Sequence, residues 1–255
     1  MLTEERFKKI LELVERNKSV SIGQLMSVLQ ASESTVRRDL AALHRSNKLI
    51  KVRGGALSLN SYDTRDDSVI LRKERNLEEK NQIAAYAASL LEKNDFVYLD
   101  AGTTTELVID FLTEKDITFV TNAVGHAKKL SQAGYTVYIL GGEFKSTTEA
   151  IVGVEAVESL SKYNFTKGFW GTNGVSISRG FSTPDVKEAM VKKKAMENCR
   201  ECYILSDPSK FSKISSITFA GFTSATIITT QIDNEVYLNY KNIIEVKKDD
   251  LHSNF

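Results

Sequence analysis

Proline and cysteine are nearly absent from this chain, which has two of each in 255 residues. Cys199 and Cys202, three apart in Cys-Arg-Glu-Cys, are its only thiols, so a disulfide scaffold is excluded. The three histidines, His44, His126 and His252, are too scattered to complete a metal tetrahedron around that pair, and neither a metal site nor a cofactor is expected. Nowhere does the sequence approach the roughly 18 consecutive apolar residues of a membrane span. Met1-Leu2-Thr3-Glu4-Glu5-Arg6 is acidic and amphipathic where a signal peptide is basic and then apolar, so a cytoplasmic protein with no membrane partner is expected. Scarce Pro and only 14 Gly also exclude a collagenous or low-complexity chain. What remains is 42% hydrophobic and 26% charged, the profile of a packed protein of one or two domains.

The formal net charge of +1 conceals an asymmetry. Residues 1 to 58 carry 11 Lys and Arg against 6 acids, a net of +5, which leaves 23 against 27, or −4, for the rest. A basic head on a mildly acidic body implies that the head meets a polyanion and the body does not.

Phe7, Ile10, Leu11 and Val14 recur at helical spacing and predict a first helix ending near Asn17, with Thr3 as its N-cap. Ser21 precedes a second apolar face, Ile22, Leu25, Met26 and Leu29, on a helix too short to persist without neighbours. After a break at Gln30-Ala31-Ser32, a third helix from Glu33 to Leu43 turns Val36, Leu40 and Leu43 inward. With Ser32 as its N-cap, Ser34, Thr35, Arg37 and Arg38 occupy the first two turns, where a recognition helix meets phosphates and base edges. An Arg fork fits the O6/N7 edge of guanine. The alternation Leu49-Ile50-Lys51-Val52-Arg53 before Gly54-Gly55 predicts a β-wing that presents Lys51 and Arg53 to the DNA backbone.

These residues carry a resemblance. Ser32-Glu33-Ser34-Thr35-Val36-Arg37-Arg38-Asp39-Leu40, with Gly54-Gly55-Ala56, resembles the DNA-binding domain of the DeoR family of bacterial transcriptional regulators. The resemblance implies a winged helix over residues 1–58, its helix-turn-helix near 20–39, and repression of a sugar-utilisation operon through double-stranded operator DNA.

A polar, aperiodic stretch follows, and residues 59–75 are expected to form a linker to a body over 76–255. There β-type runs alternate with helical ones. Strands are expected at Phe96–Leu99, Ile117–Val120, Thr136–Leu140, Gly168–Gly171, Cys202–Leu205 and Thr226–Thr229. Helices are expected at Asn76–Leu91, Glu106–Leu112, Val124–Gln132 and Val186–Glu197. Such alternation means βαβ units, an α/β fold with a mostly parallel sheet and helices on both faces.

In such sheets ligands collect beyond the carboxyl ends of the strands, and those ends are small and polar here. Asp100-Ala101-Gly102-Thr103-Thr104-Thr105 opens a helix with backbone N–H groups and hydroxyls suited to one anion. Lys210, in Asp207-Pro208-Ser209-Lys210, supplies positive charge, and Asp100, Asn122 or Asn173 is suited to sugar hydroxyls. Lys192-Lys193-Lys194 reads as a solvated helix face, Trp170 as core, and His126 as lacking a catalytic partner.

The body extends the resemblance over nearly the whole chain. Tyr98 to Thr105, Gly171-Thr172-Asn173-Gly174-Val175, Gly180 to Asp185, Glu188 and Asp207 to Phe211 look like the effector-sensing domain of DeoR regulators. That domain is similar in fold to ribose-5-phosphate isomerase and glucosamine-6-phosphate deaminase. Ala31 to Thr35, Thr183-Pro184-Asp185 and Asp207 to Lys210 most resemble the fructose operon repressors of Gram-positive bacteria, which implies fructose 1-phosphate as inducer. Tagatose 6-phosphate is the alternative within the class. The expected protein is a homo-oligomer, dimer or tetramer, without enzymatic activity. The alternative class is a sugar-phosphate isomerase or deaminase using Asp100 or Glu188 as base.

Overall fold

The computed structural model describes residues 2–17, 19–46, 48–52, 54–58, 61–62, 68–232, 237 and 240–247. The chain divides into two compact units, Met1–Tyr62 with Ile232–Tyr240, and Asp63–Gln231 with Lys241–Phe255. The division falls inside the expected linker, whereas residues 232–240, expected in the body, group with the head.

In the head, α1 (Thr3–Asn17) includes Thr3, the expected N-cap, as its first helical residue, so the helix begins one position earlier than expected. Strand β1 (Ser19–Ser21) leads into α2 (Ile22–Leu29) through a capping box. Ser21 Oγ accepts from the Gln24 amide at 3.2 Å, and Gln24 Oε1 accepts from the Ser21 amide at 2.9 Å. Gln30, left-handed at φ 49°, closes α2, and Ser32 caps α3 (Glu33–Arg45) by accepting from the Thr35 amide at 3.3 Å. Ile10 and Val14 of α1 meet Leu25, Leu29, Val36, Leu40 and Leu43 in one core. Beneath it the Arg6 guanidinium forks onto the buried Asp39 carboxylate, at 2.7 and 3.1 Å, tying α1 to α3.

The expected wing is present. β2 (Ile50–Val52) and β3 (Gly55–Leu57) pair antiparallel about Gly54, whose φ is +95°, and β3 also pairs with β1. At Gly55 a Cβ would lie 2.2 Å from the Val20 carbonyl, so only glycine lets the two strands approach. A two-residue strand, β4 (Ser61–Tyr62), ends the described part of this stretch.

The body opens with α4 (Val69–Glu74), inside the expected linker, and α5 (Leu77–Ser89). Then come β5 (Phe96–Leu99), α6 (Thr103–Val108), β6 (Thr118–Thr121), α7 (Val124–Gln132) and β7 (Thr136–Ile139). A hairpin, β8 (Glu143–Lys145) and β9 (Ala150–Val152), precedes α8 (Val154–Leu160) and β10 (Phe165–Gly171). After β11 (Gly174–Ser176), β12 (Gly180–Thr183) and α9 (Val186–Glu197) follow β13 (Cys199–Leu205), β14 (Lys213–Ile214), β15 (Ile217–Ala220), β16 (Thr226–Thr229) and β17 (Ile243–Glu245).

Seven of these strands form one wholly parallel sheet in the order β17-β16-β13-β10-β5-β6-β7. Strand side chains alternate between its faces. Val97 and Leu99 join Ile83, Ala84 and Ala87 of α5 in one core, while Tyr98 packs 5.5 Å from the Trp170 ring and 5.3 Å from Phe165. The chain winds outward from β5 through β6 to β7, and from β10 through β13 and β16 to β17 on the other side. The direction of winding reverses between the neighbours β5 and β10, and their carboxyl ends open a crevice there. The β8–β9 hairpin and the antiparallel sheet β11-β12-β15, absent from the expected elements, are built on the chain that leaves this end of β7, β10 and β13.

Candidate functional site

The crevice is a cleft with about 120 Å³ open to water, walled by the ends of β5, β10 and β13, by α9 and by the segment of α4 that precedes α5. Of the residues expected at an effector site, Gly102, Thr103, Thr104, Asn173, Glu188 and Lys210 line it. Asp100, Thr105 and Asn122 do not line it. They lie behind its wall, where contacts within the protein occupy them. The Asp100 carboxylate takes the Lys192 ammonium through one oxygen, which also accepts from the Gly171 amide at 3.2 Å. Thr105 Oγ1 reaches the carbonyls of Asp100 at 2.7 Å and Gly102 at 2.8 Å. Asn122 Oδ1 accepts from Tyr98 Oη at 3.1 Å and the Ala101 amide at 2.9 Å, and its Nδ2 donates to the Ile151 carbonyl at 3.2 Å. These three shape the loop that the cleft uses.

The cleft is electropositive. Arg72, Arg75, Lys80, Lys192, Lys210 and Lys213 line it against two carboxylates, Glu188 and Asp207. Lys192 corrects the reading of Lys192-Lys193-Lys194 as a solvated face: Lys193 is exposed, but Lys192 is 5% exposed and held by Asp100. Lys80 is buried as well, donating to the Arg72 carbonyl and, at 3.0 Å, to Thr103 Oγ1. Its desolvation pulls the ammonium down to about 8; Asp207 opposes the fall, and Lys210, Arg72 and Arg75 add to it. For Glu188, burial raises the carboxyl, but Lys192, Thr148 and Lys145 outweigh it and hold it below the usual range. Glu188 Oε1 accepts from Thr148 Oγ1 at 2.6 Å and from Lys145 Nζ at 3.2 Å, and Oε2 accepts from Thr183 Oγ1 at 3.2 Å.

In the head, α3 presents Ser34, Arg37 and Arg38 to solvent, with Thr35 half-buried. The Ser32 hydroxyl lies 3.0 Å from Ser34 Oγ and 2.9 Å from Thr35 Oγ1, a cluster of hydroxyls at the helix start. Arg37 pairs with Glu33 one turn earlier at 2.6 Å, with both side chains about half exposed, at 53% and 54%. Exposed pairs of this spacing contribute about 0.3–0.5 kcal/mol, little against a DNA phosphate or a guanine edge. Lys51 is half-buried on β2; Arg53 lies outside the described residues. No group of His, Cys, Asp and Glu suited to a metal occurs among the described residues, and no described helix is long and apolar enough to cross a membrane.

Residues 6–62 match the DeoR-like helix-turn-helix domain, and residues 75–231 match the DeoR C terminal sensor domain. The chain belongs to the DeoR family of transcriptional regulators. It is 44% identical over 251 residues to the uncharacterized HTH-type transcriptional regulator FruR of Bacillus subtilis (strain 168), an alignment that covers 97% of this chain and 100% of that protein. It is 32% identical over 238 residues to the lactose phosphotransferase system repressor of Streptococcus mutans, covering 92% and 94% respectively. A ribose 5-phosphate isomerase A structure from Methanocaldococcus jannaschii overlaps 53% of this chain and 55% of its own at 17% identity and a TM-score of 0.39, a likeness too slight to carry an argument. In this DeoR-family chain the cleft therefore belongs to the sensor domain, and α3 to the DNA-binding domain.

Sequence reasoning missed Arg72, Lys80 and Lys192. The signal was present for the two lysines, since Lys80 falls in helical register with Ile83, Ala84 and Ala87, and Lys192 with Glu188, Ala195 and Met196. A charged residue on the buried face of a helix faces something that needs it. Also unforeseen is the role of His126, buried with Nε2 3.2 Å from Thr105 Oγ1. Burial pulls its imidazole down to about 4, against the opposing pull of Glu106 and the Gly102 backbone. The unfolded chain accepts this proton near pH 6.5, and the folded one refuses it until about pH 4. Stability is therefore lost as the pH falls from 6.5 toward 4, by on the order of 3 kcal/mol from this group. Thermal melts across that range are expected to show the decline, and His126→Gln to flatten it.

Proposed function

We propose that this DeoR-family regulator is a cytoplasmic, homo-oligomeric repressor of a fructose-utilisation operon, released from its operator by fructose 1-phosphate. The observation that carries the reading is the excess of six cations over two carboxylates in a cleft beside the Thr103 and Thr104 hydroxyls, at the reversal point of a parallel sheet. A phosphate dianion relieves the mutual repulsion of those cations, and a sugar bearing it brings hydroxyls for Asn173, Thr172 and Glu188. The fructose assignment is supported by the 44% identity to FruR across 97% of the chain. Ser32, Ser34, Thr35, Arg37, Arg38, Lys51 and Arg53 are assigned to operator DNA, the hydroxyls and Lys51 to phosphates and at least one arginine of α3 to a base edge.

A role in effector binding without catalysis is supported by the two carboxylates that an isomerase would need. Asp100 is engaged by Lys192, and Glu188 is kept ionised by donors on both oxygens. A base used in this way has little tendency to take a proton from carbon.

Two sets of variants test the reading. Replacing by alanine whichever of Arg37 and Arg38 contacts a base is expected to cost about 1–3 kcal/mol of operator affinity and to relax preference at one base pair. Wild-type affinity and salt dependence in both alanine variants, measured by gel shift, would remove α3 from the interface. At the cleft, Thr104→Ala and Lys210→Ala are expected to lower fructose 1-phosphate affinity in calorimetry, so that more of it is needed to release operator. Fructose 6-phosphate, tagatose 6-phosphate and unphosphorylated fructose complete the panel, and equal binding of fructose and its phosphates would defeat the phosphate assignment. Because a bound dianion raises the Lys80 ammonium from about 8, binding takes up a proton, and affinity is expected to fall as the pH rises above that value, by up to about tenfold per unit.

A further inference from the structure

Helix α4 has little holding it through its own chemistry. Its six residues bury no side chain, Ser68 makes no side-chain capping bond, and Ile70 and Leu71 are 74% and 54% exposed. A single turn and a half does not persist on backbone hydrogen bonds, because nucleation costs more than so few bonds return. The contacts that fasten it are polar, and those made by Arg72 and by Asn76 border the cleft. The Val69 amide donates to the Thr147 carbonyl at 3.1 Å, Lys73 pairs with Glu106 at 3.0 Å, and the buried Lys80 ammonium holds the Arg72 carbonyl. Asn76, left-handed at φ 52°, ends the segment and donates to Asp207 Oδ1 at 2.8 Å.

Within this strap Arg72 lines the cleft, and its Nε is buried with no hydrogen-bond partner among the described residues. A guanidinium donor left unmade beside other cations is costly, and an anion in the cleft is the kind of acceptor that would satisfy it. Lys80 bridges the same point: its ammonium touches both the Arg72 carbonyl and Thr103 Oγ1, so strap and hydroxyl loop meet at one place. We propose that Arg72 and Lys80 grip the effector's phosphate from the strap side, together with the Thr103–Thr104 loop, so that filling the cleft fixes α4. The inference rests on the sugar-phosphate reading and adds to it the residues that take the phosphate and the element that the phosphate holds. The depressed Lys80 ammonium agrees with a site that is one anion short. Only residues 63–67 separate Ser68 from Tyr62, so the segment that the anion fixes is the one through which the chain leaves its N-terminal part.

Hydrogen exchange on the full chain, with and without saturating inorganic phosphate or fructose 1-phosphate, tests the strap, and calorimetry on variants tests its ligands. Amides of residues 69–76 are expected to slow with either anion and not with fructose. Arg72→Gln is expected to weaken both anions by about 10- to 100-fold, and Arg72→Lys, which keeps the charge without the fork, by less. Lys193→Gln, a charge-matched change on the exposed face of α9, is expected to leave both affinities as they are. The exchange measurement on the wild-type chain stands whether or not any variant folds. Wild-type anion affinity in Arg72→Gln, or unchanged strap exchange in a filled cleft, overturns the inference and leaves the sugar-phosphate reading in place. Failure of both anions to bind the wild-type chain overturns the two together.

Discussion

Asp100, the residue that follows β5, is 1% exposed and binds the Lys192 ammonium of α9 and the Gly171 amide at the end of β10. One carboxylate thus joins the two strands that diverge at the reversal point to the helix that closes the crevice between them. Burial raises this carboxyl, while Lys192 and the Gly171 amide oppose the rise. Removing one partner of such a buried pair strands the other charge, at about 3–5 kcal/mol. The cleft's other features follow from this fixed floor. The loop after Asp100 has its carbonyls held by Thr105 and its Ala101 amide by Asn122, which leaves the Thr103 and Thr104 hydroxyls to face the cleft.

The division of labour between buried and lining residues explains how much of the site was legible in the sequence. A strand followed by Asp-Ala-Gly-Thr-Thr-Thr locates the loop, since small and hydroxyl residues after a β-type run in an alternating pattern fall at a carboxyl end. Within the loop, sequence cannot separate Thr104, which lines the cleft, from Thr105, which holds the loop from behind, because adjacent helical positions are carried to different faces only by the packing of α6 on its neighbours. Arg72 was illegible for another reason. It sits on a short helix with no apolar periodicity, in a stretch whose composition is that of a linker.

For the fold, the helices Val124–Gln132 and Val186–Glu197 were read to their ends, and so were the buried strands Phe96–Leu99 and Thr226–Thr229. β10 and β13 begin three residues earlier than their apolar runs, at Phe165 and Cys199, because sheet pairing extends through Thr166, Lys167, Arg200 and Glu201. Such polar positions join a strand only when a neighbour supplies the ladder, which is a tertiary effect. Lys167 shows the cost being met locally, since its ammonium is buried and paired with Asp95 at 2.8 Å. In the head, the fork between Arg6 and Asp39 removes one arginine from the basic surface that composition alone assigns to DNA. Exposed arginines remain on α3 at Arg37 and Arg38 in its first two turns and at Arg45 in its last.

The central claim is that the cleft and α3 are two sites of one thermodynamic switch, and linkage makes it directly measurable. If fructose 1-phosphate weakens operator binding by some factor, operator DNA must weaken fructose 1-phosphate binding by the same factor. Calorimetric titration of the full chain with fructose 1-phosphate, alone and saturated with operator, measures that factor from one side, and operator titration with and without the sugar phosphate measures it from the other. The account predicts equal factors of about 5- to 150-fold, the usual range of allosteric coupling. Tight fructose 1-phosphate binding that is the same with and without operator would contradict it.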